Sequence, residues 1–211
     1  GVKGLDYSLN LRLDQAALKN LAQALSPFYQ NFVDGTISGT CTLSGNGVTP
    51  VRFMKNLKGE GLFTLRDALI KGLPSMGAIA SFIRMDGGDG FRFDQAQVQY
   101  KLHDGAVDVD GSFTNNDLGL YPAGQIGLDG SLNVDTIMKI SPNLAGRMVS
   151  DKIRQYLPLE DGWTVLPVEI RGSFYDYRVA LKKDVMDIFI EKVLPAVLND
   201  LLKDKVNTPP P

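Results

Sequence analysis

The stretch FRFDQAQVQYKLHDGAVDVDGSF, residues 91–113, alternates apolar and polar side chains on both sides of one Asp-Gly pair. Val98, Tyr100 and Leu102 share one side of its first half; Val107, Val109 and Phe113 share one side of its second. A repeat of two residues is that of a half-buried strand, and Asp104-Gly105 suits the positive φ angles of a tight hairpin turn. So short a connection has no room for a crossover helix, so the two strands must be antiparallel. The first strand changes phase: Phe91 and Phe93 occupy odd positions, and Ala96 and its successors even ones. A slip of one residue without loss of the strand predicts a β-bulge between Phe93 and Ala96.

The same reading extends in both directions. Residues 114–119, TNNDLG, form a turn, and LGLY leads into GQIGLDGSLNVDTIMKIS, residues 124–141, read as one further strand. In it Ile126, Leu128, Leu132 and Val134 fall on alternate positions. WTVLPVEIRGSFYDYRVALKKD, from residue 163, adds two strands joined near Gly172 and Asp176. On the N-terminal side, Leu5, Tyr7, Leu9, Leu11 and Leu13 alternate, as do Ile37, Gly39, Cys41 and Leu43. GEGLFTLRDALIKG, residues 59–72, reads as a bent strand with a phase shift around Asp67.

Helical spacing predicts a helix over 14–33, capped by Asp14 and broken at Ser26-Pro27, with Ala17, Leu18, Leu21, Leu25, Phe28 and Phe32 on one side. Shorter helices are expected over 50–57 and 73–83. A helix over 142–157 follows Ser141 as cap with Pro142 in its first turn, and another over 184–205 follows Asp184 and kinks at Pro195. The fold class is therefore α+β: a mainly antiparallel, curved, trough-like meander with amphipathic helices at one face and at the ends. Residues 1–206 are expected to form one domain, the C-terminal part of a longer chain, and 207–211 a disordered Pro-rich tail.

Composition narrows the function classes. The chain has 211 residues with 44% hydrophobic and 22% charged, ordinary values for a globular protein. A net charge of −2 provides no basic field for nucleic acid. No stretch approaches the apolar length of a membrane-spanning helix. A single cysteine, Cys41, cannot form an internal disulfide, and its place among strand hydrophobes suits a small buried side chain rather than a nucleophile. His103 is the only histidine, which excludes a histidine-based metal cluster; beside Asp104-Gly105 it reads as an exposed turn residue. Asp108 and Asp110 lie on one strand face, about 7 Å apart by the pleat repeat. Paired-acid chemistry or a calcium site would use such a pair, but polar-out alternation explains it as a solvated face. DGGDG, residues 86–90, lacks the spacing of an EF-hand loop, and Gly45 and Gly47 do not open a phosphate-binding helix. No catalytic residue, metal ligand or cofactor is expected.

The order of these parts resembles the C-terminal region of the AsmA family. The resemblance rests on the Phe91–Leu102 strand, the Asp104-Gly105 hairpin, the glycine-marked strand from Gly124 to Asp135, and the proline-led PVEIRG at 167–172, and it covers about 14–184. The family pattern has a proline before the closing aspartate, where this chain has Tyr177 and Arg178. The resemblance implies a periplasmic protein whose parent chain is anchored in the inner membrane. It further implies a role in outer-membrane biogenesis or phospholipid movement.

The apolar strand faces carry the functional expectation. If the sheet forms an open gutter, Val98, Tyr100, Leu102, Val107, Val109, Phe113, Ile126, Leu128, Leu132 and Val134 face a phospholipid or fatty acid. Each buried methylene then contributes about 0.8 kcal/mol. If helices seal the face, the module is a structural domain that docks another envelope protein, for example by adding a strand. A hydrolase using Asp108 and Asp110 is the third reading.

Overall fold

In the computed structural model, residues 6–25, 29–47, 55–71, 90–148, 157–174 and 176–183 are described, with the isolated positions 49, 52, 187 and 195. The described strands make one antiparallel sheet. They are β1 (Asp6–Ala17), β2 (Val33–Asn46), β3 (Lys58–Ile70), β4 (Phe91–His103), β5 (Ala106–Thr114), β6 (Leu118–Gly127), β7 (Ser131–Ile140), β8 (Leu159–Glu160), β9 (Trp163–Ser173) and β10 (Tyr177–Leu181). Each strand pairs with its neighbour in sequence, except that β9 lies against β7 and the two-residue β8 joins β9 on the side of β10. The sheet is curved and unclosed, with β1 and β10 as its edges. Two short helices are described, α1 (Leu18–Leu25) and α2 (Pro142–Met148).

Register places the main apolar series of these strands on one side, called here the inner face, while Leu62 and Ile137 fall on the other. Ala96 stands opposite Leu65 and Phe113, Tyr100 opposite Gly61 and Val109, and Leu102 opposite Gly59 and Val107. The sequence continues across the sheet with Val109 opposite Gly124, Gly124 opposite Val134, and Val134 opposite Ile170.

Two hydrophobic clusters lie at one end of this face. The larger joins Phe91, Phe93, Leu118, Leu120, Met138, Ile140, Leu166 and Val168 with Leu144 and Ala145 of α2. The smaller joins Ile37, Leu65, Ala68 and Ala96, with Leu18 and Leu21 of α1 packed against it. Phe93 is fully buried, with its ring edge-on to Phe113 at 5.5 Å between centroids, a favourable aromatic arrangement.

Several expectations are corrected. The helix expected from Asp14 begins at Leu18, because β1 continues to Ala17. A bulge between Leu13 and Ala16, with Gln15 at φ 48°, returns Ala16 to the inner face opposite Ile37, so the ladder outlasts Asp14 and that residue caps nothing. The stretch 124–141 is not one strand. It reverses at 128–130, where Gly130 takes φ 90°, and Ile126 pairs with Leu132 across the turn. The phase slip in β4 is present, but the β3–β4 register runs through it unbroken. β3 slips at the same level, at Asp67 with φ 50°, so neither strand bulges against the other; the compensating shift appears between β2 and β3 near Asp34 and Thr36.

The helix after Ser141 begins as expected. The Ser141 hydroxyl accepts from the Leu144 amide at 3.2 Å, and its carbonyl accepts from Ala145 at 2.8 Å, a hydrogen-bonded N-cap. Its continuation past 148, the helix over 73–83, most of those over 50–57 and 184–205, and the tail lie outside the described residues.

Candidate functional site

The end of the inner face nearest the β4–β5 and β6–β7 turns is built from the other halves of the same strands. Glycines alternate there with large side chains. A methyl on Gly61 would meet the Tyr100 ring at 2.6 Å, and one on Gly59 would meet Leu43 at 2.6 Å. Each ring or branched side chain therefore lies over a bare stretch of the neighbouring strand. Phe63 and Tyr100 stack in the same region, 5.9 Å between centroids and 14° between planes. At Gly124 the need is for backbone as well as space. Its φ of 152° and the Asn133 carbonyl against its missing β-carbon leave no room for alanine.

The ten residues expected to face lipid fall as follows. Tyr100, Val107, Val109, Ile126 and Leu132 share the inner face at this end and are half-buried. Leu102 and Val134 share it too but are buried, with 6% and 7% exposure. Val98 and Phe113 lie deeper and pack against the cluster roofed by α1. Leu128 is not on a strand; it occupies the β6–β7 turn, its amide donating to the Gly105 carbonyl at 2.8 Å. The face then runs to the β1 edge, where Leu9 and Leu11 are 52% and 39% exposed. A cleft of about 560 Å³ at the turn end is lined by Lys55, Asp104, Gln125, Leu128, Asp129 and Ser131, among others, so polar groups ring that rim.

Cys41 is buried on the inner face beside Tyr100. Burial first, and then the Cys41 thiol, push the Tyr100 phenol well above its ordinary range, so it stays protonated. This corner is apolar in character, with Phe63 stacked on Tyr100.

The outer face carries the ion pairs, with Leu62 and Ile137 exposed among them. His103 sits between two carboxylates, Nε2 at 2.6 Å from Asp108 and Nδ1 at 3.3 Å from Asp104, and Gln125 donates to Asp108 at 3.0 Å. The Asp108 and Asp104 carboxylates, in that order, raise the His103 pKa; His103 and then Gln125 hold Asp108 below the usual carboxylate range. The expectation of a simple exposed turn histidine is thus corrected: its side chain is 33% exposed and anchored across the hairpin. Counting the register outward from Asp104-Gly105 would have found the pair, since Lys101 opposes Asp108 and His103 is the diagonal neighbour.

Farther along, Arg171 and Lys182 each reach Asp135 at 2.5 Å, and Arg178 reaches Glu169 at 3.3 Å. Asp135 and Glu169 are direct cross-strand partners, so these cations stand over two like charges that would otherwise repel. Lys182 and then Arg171 depress the Asp135 pKa. Asp110 is exposed on this face and no third ligand gathers with Asp108; among the described residues no group of three His, Cys, Asp or Glu could hold a metal. Nor is any described helix long and apolar enough to cross a membrane.

Comparisons with family models, with curated proteins and with solved structures return no match for this chain.

Proposed function

We propose that the chain is a non-catalytic module that holds acyl chains of phospholipid or fatty acid against the inner face at its turn end. The observation that carries this reading is the half-buried run Tyr100, Val107, Val109, Ile126 and Leu132, continuous with exposed Leu9 and Leu11. A folded protein ordinarily covers so contiguous an apolar surface, and leaves one open where something binds. Half an acyl chain of about eight methylenes would contribute roughly 6 kcal/mol there before ordering costs. The charged rim and the ion-paired outer face keep the remainder of the molecule in water. Together with the AsmA-like order of strands, this supports a place in the periplasm of a double-membraned cell, on a parent chain tethered to the inner membrane and active in outer-membrane biogenesis.

The second reading is a partner-binding domain with a closed core. It is favoured by the roofed end, where α1 and α2 contribute to the two clusters, and by burial of Leu102 and Val134 at the other end.

Mass spectrometry of protein extracted under mild conditions, with uptake of a fluorescent fatty acid, separates the two. The lipid reading expects co-purified lipid, saturable uptake, and loss of uptake in Val109→Lys with the fold retained. Protein that carries no lipid and takes up none leaves only the closed domain, for which pull-down from envelope extracts is the next assay.

A further inference from the structure

Polar side chains are scarce at the turn end of the inner face, and Tyr100 is the exception. Two rows of paired residues cross that end. One runs from Cys41 through Gly61, Tyr100, Val109 and Gly124 to Val134, the other from Leu43 on β2 to Leu132 on β7. Neither row holds a charged residue, and Tyr100 supplies their one hydroxyl. The ring is held in place. Gly61 leaves bare backbone beneath it, where a β-carbon would come within 2.6 Å of the ring and 3.1 Å of the Cys41 β-carbon, and Phe63 stacks on it at 5.9 Å. Across Gly61 the hydroxyl reaches the thiol of buried Cys41. A buried phenol ordinarily finds a hydrogen-bond partner, but sulfur is a weak acceptor. Among the described residues this half-buried hydroxyl therefore rests on a poor partner, in the middle of an apolar floor.

We propose that the Tyr100 hydroxyl donates to the ester carbonyl of an acyl ligand, so that the inner face takes esterified chains in preference to free fatty acids. This rests on the acyl-chain reading given above and narrows it. A hydroxyl can turn from Sγ to a carbonyl oxygen by rotation about its C–O bond, with the ring left where Gly61 and Phe63 hold it. An ester carbonyl is neutral and is satisfied by one such donor. An ionised carboxylate brought to the same place would give up its water with no cation in either row to replace it. Burial, and then the thiol, keep the phenol protonated, so the donor is present throughout the neutral range. The phenol thus selects for the linkage, while the valines and leucines around it select only for apolar length.

Displacement of a bound fluorescent fatty acid by methyl laurate, by laurate, and by dodecane delivered from cyclodextrin tests this at neutral pH. Methyl laurate should displace the dye at lower concentration than laurate does. Tyr100→Phe keeps the ring and its stack; it should weaken methyl laurate about fivefold and leave dodecane within about twofold. The infrared stretch of a carbon-13-labelled ester carbonyl should lie lower when bound to the natural protein than when bound to Tyr100→Phe, a signature that a merely structural ring would not give. Equal weakening of ester and alkane, an unchanged carbonyl stretch, or laurate displacing better than its ester overturns the proposal and leaves the acyl-chain reading standing. A protein that takes up neither the dye nor any of the three probes overturns both.

Discussion

At the roofed end of the inner face, Phe93, Leu118, Met138, Ile140 and Val168 have at most 1% exposure; at the turn end, Tyr100, Val107, Val109, Ile126 and Leu132 on the same or neighbouring strands remain half-buried. The side chains do not explain the contrast, since valine, leucine and aromatic residues occur in both. Alternation makes a face, and what lands on that face decides whether it becomes a core. Leu144 and Ala145 of α2, and Leu18 and Leu21 of α1, land on one end. At the other, glycines opposite rings let the strands' own side chains cover part of the surface.

This contrast can be broken most forcibly at Phe93. Phe93→Ala should cost about 3–5 kcal/mol, read from the urea midpoint at unchanged slope. Val109→Ala, at the turn end, should cost about 1 kcal/mol in the same titration and weaken fatty-acid uptake instead. Equal losses at both sites would mean that the two ends are one core. Between these comes Gly124→Ala, whose β-carbon would strike the Asn133 carbonyl at a φ suited to glycine; about 1–3 kcal/mol is expected. Gly105→Ala, with φ 77° but nothing within 4 Å, isolates the backbone contribution at about 1 kcal/mol. Ser141→Ala should cost about 1 kcal/mol and loosen α2, sharpening the claim that the roof is held at its first turn.

The smallest effect is in pH. Because the Asp108 and Asp104 carboxylates raise the His103 pKa, its contribution is complete below the unfolded value of 6.5 and fades as pH rises through the higher folded value. The denaturation midpoint should therefore decline slightly on the alkaline side of 6.5, and His103→Gln should flatten that decline. Asp135 acts with the opposite sign. Its lowered pKa contributes stability above the ordinary carboxylate value, and that contribution is lost as pH falls through the folded one.

Much of the sheet could be read from the chain because period two is a local signal. Its failures have local causes too. The turn at 128–130 escaped because Ile126 and Leu132 have the same parity, so the apolar phase passes through the reversal unchanged; only Asp129-Gly130 marks it. β8 has two residues, too few for any periodicity, although Asp161-Gly162 with φ of 51° and 83° is the same turn chemistry as Asp104-Gly105. At Asp14 a good cap residue stood inside a ladder that a bulge prolonged. The outer-face ion pairs needed registers between strands, such as Asp135 against Glu169, which no single strand contains.

From β2 to β6 every strand pairs with the strand before it and the strand after it. A chain laid out this way can be lengthened without rewiring: an inserted hairpin joins at the point of insertion and leaves all other pairings intact. Insertions must come two strands at a time, however, since a single extra strand would reverse the direction of everything downstream and carry α2 to the wrong end. Width is thus a freely adjustable property of this architecture, in steps of one hairpin.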